Sequence, residues 1–170
     1  MGRIGFAAGP ACPAQRPFRM PSPTDSPAAE APPEPTSLPC VMAFNANDPS
    51  GAGGLPADVA AMSSASAHVL PVVTGAYVRD SSAIHGHVAF DEDAVDDQAR
   101  CALEDMPVQA FKVGFVGSPE NLSAIAEIAS DYPEVPLVAY MPGLAWWNEV
   151  DLENYLDAFA ELKLPQTMVL

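Results

Sequence analysis

From residue 40 onward, short unbroken apolar runs alternate with longer stretches in which apolar residues return every three or four positions. Val41-Met42-Ala43-Phe44 has the length and composition of a strand buried on both faces. Val69–Thr74, Ala110–Gly117, Leu137–Tyr140 and Thr167–Leu170 read the same way. The first intervening helix is expected from about Pro56 to Ala65, where a proline in the first turn loses no needed N–H. A second runs from Asp91 to Met106. Val95, Ala99, Ala102, Leu103 and Met106 share one of its faces, and Glu92, Asp93, Asp96 and Asp97 load its positive end. Ser118 caps a third helix that Pro119 begins and Glu120 supports, with Leu122, Ile125, Ala126 and Ala129 as its buried stripe. Asp151 leads a fourth, striped by Leu152, Tyr155, Leu156, Phe159 and Leu162.

Strand and helix alternating over short connections predict an α/β fold, a three-layer α/β/α arrangement around a mainly parallel sheet. Ligands of such sheets bind beyond the carboxyl ends of the strands. The Asn45–Asp58 segment, the turn after Thr74 and the Gly114–Gly117 turn all fall there.

Composition divides the chain. Ten of its 19 prolines lie between Pro10 and Pro39. Residues 1–39 carry Arg3, Arg16 and Arg19 against Asp25, Glu30 and Glu34, so they have no net charge and no helical or strand period. Such a segment buries too little apolar surface to offset its ordering entropy. A disordered Pro/Ala-rich tail over 1–39 and one domain over 40–170 are expected. An extended arm that binds a partner stays open, whereas Ile4–Gly9 is too short for a secretory apolar core.

The net charge of −15 therefore falls wholly on residues 40–170. It argues against nucleic acid and anionic membrane as partners, since both demand basic patches. No apolar run approaches membrane-spanning length. Cys12, Cys40 and Cys101 form no metal-spaced pair and suit a reducing, cytoplasmic setting. His85-Gly86-His87 lacks a third ligand for a metal, and the carboxylates from Asp91 to Asp97 lack the oxygen spacing of a calcium loop. No metal site is expected.

Asn45–Asp58 reads Asn-Ala-Asn-Asp-Pro-Ser-Gly-Ala-Gly-Gly-Leu-Pro-Ala-Asp, a glycine-rich turn from strand to helix. Glycine lets backbone approach a ligand, and the helix start offers free N–H groups. It is not a Walker loop, because Leu55 follows Gly54 where lysine is required, and it lacks the third glycine of a dinucleotide fingerprint. A flexible turn without a ligand is the plain alternative.

Asp48-Pro49-Ser50-Gly51-Ala52-Gly53-Gly54-Leu55 with Ala57-Asp58 resembles the N-terminal motif of the hydroxymethylpyrimidine and phosphomethylpyrimidine kinases of thiamine biosynthesis, in the ribokinase-like superfamily. The chain departs from that motif at Ala46, Asn47, Ala52, Gly53 and Pro56. Thr74–Asp80, Val95–Pro107, Phe111–Phe115, Asp131–Pro136 and Leu164–Thr167 are similar to later family segments, so the resemblance spans 40–170 and then stops. It implies an incomplete ribokinase-like domain, ATP-dependent phosphorylation of hydroxymethylpyrimidine or its phosphate, and ATP and magnesium as cofactors, with neither of their sites complete in this chain.

The resemblance places Ala46, Asp58, Arg79 and Phe115 in a pocket for the small pyrimidine; it assigns no catalytic residue. Asp58 would lie beside the hydroxymethyl end, or else serve its helix dipole. Arg79 stands where the family has a pyrimidine-binding glutamine. Arginine has donors only, which favours an anionic ligand or a bridge to Asp80. Phe115 would pack on the ring, or else belong to the core. Tyr140 replaces an aspartate of the family's phosphate and magnesium cluster, a carboxylate role that a neutral tyrosine cannot take. Trp146-Trp147 is either a loop plug or an exposed contact patch. The family's Gly-Thr-Gly-Cys signature does not occur. Two readings follow: a kinase of thiamine biosynthesis, or an inactive relict that acts as a binding or interaction module. If the sheet ends at Leu170, its uncovered edge is expected to self-associate.

Overall fold

The computed structural model describes residues 37–163 and 167–169, with side chains described to residue 160. Residues 1–36 of the expected tail, and the Leu162 and Leu170 side chains, lie outside these. The elements in order are β1 (Cys40–Asn47), α1 (Gly54–Ser64), β2 (His68–Arg79), β3 (Ile84–Ala89), α2 (Glu92–Asp105), β4 (Ala110–Val113), α3 (Pro119–Asp131), β5 (Leu137–Ala139), α4 (Glu149–Lys163) and β6 (Thr167–Val169).

The six strands form one sheet in the order β3-β2-β1-β4-β5-β6. Every pairing is parallel except β2 with β3. This is the expected three-layer α/β/α architecture, and the connections explain how it arises. The β1-α1-β2 crossover steps one way along the sheet, while the later crossovers to β4, β5 and β6 step the other way. Right-handed crossovers then put α1 on one face and α2, α3 and α4 on the other. Accordingly α1 packs on β1 and β2, α2 on α3, and α3 on α4. The strand order reverses at β1, which makes its carboxyl end the crevice of the sheet.

β1 is central, and Met42, Ala43, Phe44, Asn45 and Ala46 are all buried on it, so both of its faces are covered. Phe111 and Val113 of β4, Val72 of β2, Ile128 of α3 and Tyr155 of α4 complete the core. Capping follows local chemistry. Asp91 Oδ1 accepts from Ala94 N at 2.8 Å, and Ser118 Oγ accepts from Asn121 N at 3.2 Å with Pro119 opening the helix. α4 begins two residues before Asp151, because Asn148 Oδ1 accepts from Asp151 N at 3.0 Å and supplies the cap.

The antiparallel hairpin was not expected from the sequence. β2 continues past Thr74 to Arg79, and β3 returns beside it, pairing Gly75 with Ala89 and Arg79 with Ile84. Asp80 makes the turn, its Oδ1 accepting from Ser82 N at 2.7 Å and Ala83 N at 2.9 Å. β4 is shorter than expected: it ends at Val113, and Gly114–Val116 is buried irregular chain.

Candidate functional site

The glycine turn owes its shape to Asp48 and two glycines. Asp48 Oδ1 accepts from Ser50 N at 2.8 Å and Ser50 Oγ at 2.7 Å, which folds the chain back on itself. Gly51 follows with φ of +73°, a left-handed conformation that favours glycine. Gly54, at φ +59°, opens α1 against the end of β1; a Cβ there would collide with the Ala46 carbonyl oxygen. The turn is therefore a fixed wall, and it brings α1 close to the strand end.

Two ion pairs meet in the cleft beside this wall, which has a volume of about 320 Å³. Asp48 is only 1% exposed, and its Oδ2 lies 3.0 Å from Arg79 Nη1. Burial pushes the Asp48 carboxyl up, but the Ser50 hydroxyl and amide and the Arg79 charge outweigh it and hold the group below its usual range. Asp58, one turn into α1, accepts from Lys112 Nζ at 2.6 Å and from Asn45 Nδ2 at 2.8 Å, both on Oδ2. Asn45 is itself fixed, because its Oδ1 accepts from Ala46 N at 2.9 Å. A Cβ on Gly114 would come within 2.5 Å of Asn45 Nδ2, so glycine at 114 makes the room for that amide.

Tyr77 and Phe115 line the cleft from an aromatic cluster that backs them. Tyr77 stacks on Phe115, with centroids 5.4 Å apart and rings 18° from parallel. Trp146 meets both rings edge-on, at 5.9 Å from Tyr77 and 5.6 Å from Phe115. Trp147 packs on Phe115, His87 and Tyr155. Of the two readings of the tryptophan pair, the plug is the one realised. Burial, and then the Asp48 charge, push the Tyr77 hydroxyl up to about 12 despite Arg79, so it is a neutral donor and acceptor at pH 7.

Behind the cleft, Asn121 of α3 joins three segments. Its Nδ2 lies 2.9 Å from the Val116 carbonyl oxygen, 3.1 Å from that of Phe90 and 3.4 Å from that of Thr74. Its Oδ1 has no hydrogen-bond partner among the described residues.

Asp58, Arg79 and Phe115, named from the sequence, all border the cleft. Ala46 does not: its side chain is buried in the core, and it contributes backbone instead, donating N–H to the Phe115 carbonyl oxygen at 3.0 Å. Phe115 is 1% exposed and enclosed by Tyr77, Tyr155, His87 and the two tryptophans, so its ring presents almost no surface. Of the two alternatives for Arg79, the bridge to the Asp80 carboxylate is not made; its ion pair is with Asp48. Asp80 gives its carboxylate to the hairpin turn and to His85, and only its carbonyl oxygen accepts from Arg79 Nε, at 3.1 Å. His87 Nε2 lies 3.0 Å from the Gly117 carbonyl oxygen, so the two histidines are engaged separately.

Asn45, Tyr77 and Lys112 also border the cleft, and motif reading did not name them. Lys112 sits in the family-like Phe111–Phe115 segment, and a charged residue inside an apolar strand was the usable signal.

The described residues do not fit a magnesium site. Both cleft carboxylates are already paired with a cation, the 61% exposed Tyr140 side chain is a phenol where the family has a carboxylate, and no group of three potential ligands occurs among the described residues. No helix among them is long and apolar enough to cross a membrane.

Comparison with known proteins agrees with this geometry. A family model described as phosphomethylpyrimidine kinase matches residues 48–145. The hydroxymethylpyrimidine/phosphomethylpyrimidine kinase of Streptomyces coelicolor is 31% identical over 107 residues, which are 62% of this chain and 40% of that protein. The crystal structure of phosphomethylpyrimidine kinase from Clostridium difficile matches with a TM-score of 0.55 at 25% identity, over 60% of this chain and 44% of that one. The pyridoxal kinase of Bacillus subtilis, solved as an ADP complex, reaches a TM-score of 0.67 over 78% of this chain and 51% of that one; at 19% identity it shares the fold. The chain thus spans less than half the length of the Streptomyces and Clostridium relatives. Since the family model covers more than half of the residues here and takes in the cleft from Asp48 to Pro142, the chain belongs to the phosphomethylpyrimidine kinase family.

Proposed function

We propose that this chain forms the pyrimidine-binding part of a hydroxymethylpyrimidine/phosphomethylpyrimidine kinase of thiamine biosynthesis, with ATP as the phosphoryl donor of the whole enzyme. The observation that supports this best is the cleft at the carboxyl end of β1, where Asp58 of the family motif is held by Lys112 and Asn45. A small ring with amino and hydroxyl groups suits such a site. Asp58 offers an acceptor, Arg79 offers donors, and the Tyr77 hydroxyl offers both. The work of this chain is binding and orientation. Phosphoryl transfer depends on positioning and on neutralising charge, and the groups here that would neutralise it are already paired with carboxylates.

A second reading, a binding module without transfer activity, draws support from Tyr140, where the family carries an aspartate. The test is calorimetric titration of the 170-residue chain with hydroxymethylpyrimidine, alongside a coupled ATP-turnover assay. Saturable binding that Asp58→Asn weakens by roughly tenfold supports the substrate-binding reading, since hydrogen bonds to charged groups are about that strong. No binding, or equal binding by the variant, refutes it. Turnover above background that Asp58→Ala abolishes removes the second reading.

A further inference from the structure

The Asp58 carboxylate is not merely neutralised; it is oriented. Both donors fall on one oxygen. Lys112 Nζ reaches Oδ2 from β4 at 2.6 Å, and Asn45 Nδ2 reaches the same Oδ2 from the end of β1 at 2.8 Å. Among the described residues Oδ1 accepts no hydrogen bond, although Asp58 borders the cleft.

The two donors are rigidly held. Asn45 is 5% exposed and cannot turn freely: its Oδ1 is taken by Ala46 N at 2.9 Å, and the missing side chain of Gly114 leaves it one slot. Lys112 lies mid-strand, 13% exposed, between neighbours buried in the core. A carboxylate on an exposed helix turn would rotate about χ2 and exchange its two oxygens. Here that rotation breaks two charge-assisted bonds at once.

We propose that Lys112 and Asn45 are positioning residues for ligand recognition. By occupying Oδ2 they present Oδ1 as the acceptor for the hydroxyl proton of the pyrimidine's hydroxymethyl group. This rests on the pyrimidine reading above. It adds that discrimination between a hydroxymethyl and a methyl substituent comes from residues that act through Asp58. A site built to accept a hydroxyl proton leaves its acceptor unmatched when the hydroxyl is absent, which is a strong basis for rejection.

The experiment measures calorimetric affinities of the full chain for hydroxymethylpyrimidine and for the analogue in which that group is a methyl. The proteins are wild type, Lys112→Met, Lys112→Gln and Lys112→Arg, each checked for a cooperative melt; the two neutral variants guard against one failing to fold. Wild type is expected to prefer the hydroxyl compound by roughly tenfold or more. The preference, read as the ratio of the two affinities, should fall to within about twofold in the folded neutral variant and return in Lys112→Arg, whatever shift the change of cleft charge brings to both ligands alike. A purely structural role for Lys112 would weaken both ligands together. Undiminished preference in a folded neutral variant, with or without a parallel loss of both affinities, overturns this inference alone. Wild type that binds neither compound overturns the pyrimidine reading and this inference with it.

Discussion

Replacing Arg79 with methionine tests whether the glycine turn is held by a buried charge pair. The substitution keeps an apolar stem of similar length and removes the guanidinium. Asp48, 1% exposed, would keep the Ser50 amide and hydroxyl on Oδ1 but lose its cation at 3.0 Å from Oδ2. Breaking a buried pair from one side costs about 3–5 kcal/mol. Arg79 is 17% exposed and the Ser50 donors remain, so the lower end, about 3 kcal/mol, applies. For a domain of this size that lowers the melting temperature by roughly 10 °C. Urea unfolding followed by Trp146 and Trp147 fluorescence reads the loss directly. Adding Asp48→Asn to Arg79→Met removes the stranded charge and should recover about half of it.

The pH dependence gives an independent check. A carboxyl whose folded pKa is depressed adds stability that is present above its unfolded pKa, near 3.9, and is lost as pH falls through the lower folded value. The deficit of the variant should therefore be full at pH 7 and narrow below about pH 4, where Asp48 takes up a proton in the variant first. A variant that melts within 2 °C of wild type at pH 7, or a deficit that grows toward low pH, would refute the buried-pair reasoning.

Two further outcomes follow from the packing. Asn121→Leu removes the amide that serves the Phe90 and Val116 carbonyl oxygens, and should cost about 2–3 kcal/mol in urea unfolding; a loss under 0.5 kcal/mol would mean those carbonyls are satisfied otherwise, as the Thr74 carbonyl already is by Phe90 N at 2.9 Å. Gly114→Ala puts a Cβ within 2.5 Å of Asn45 Nδ2, and should destabilise by about 1–3 kcal/mol and weaken pyrimidine binding with it; intact binding would show that Asn45 is not needed where it stands.

The legible parts of the fold were those set by local chemistry. Ser118-Pro119 announced its helix because cap and first-turn preferences are contained in two residues. The parallel strands were legible because β1 is buried on both faces and β2 opens on an apolar run from Val69 to Val73, so both read as apolar runs. β3 was not: it is an edge strand of six residues holding Gly86 and two histidines, so its pairing with β2, rather than its composition, makes it a strand. In the site, Asp58 and Arg79 were found through the motif, but their partners were not. Lys112 and Asp48 reach them across 54 and 31 residues, distances at which sequence spacing carries no signal. Phe115 borders the cleft, yet how far it is enclosed depends on where Trp146 and Trp147 fold back, which only the tertiary chain decides.

The origin of the four cleft charges on separate segments has a consequence for synthesis. Asp48, Asp58 and Arg79 all belong to the part of the chain ending with β2, whereas Lys112 comes from β4. At about 5–20 residues per second, the 54 residues from Asp58 to Lys112 take roughly 3–10 s to emerge. During that interval a nascent chain can already close its glycine turn on Arg79, while Asp58 has Asn45 as its single donor and remains free to rotate. Asp58 gains its second donor only when β4 pairs beside β1, so the glycine turn and the orientation of that carboxylate depend on segments made at different times.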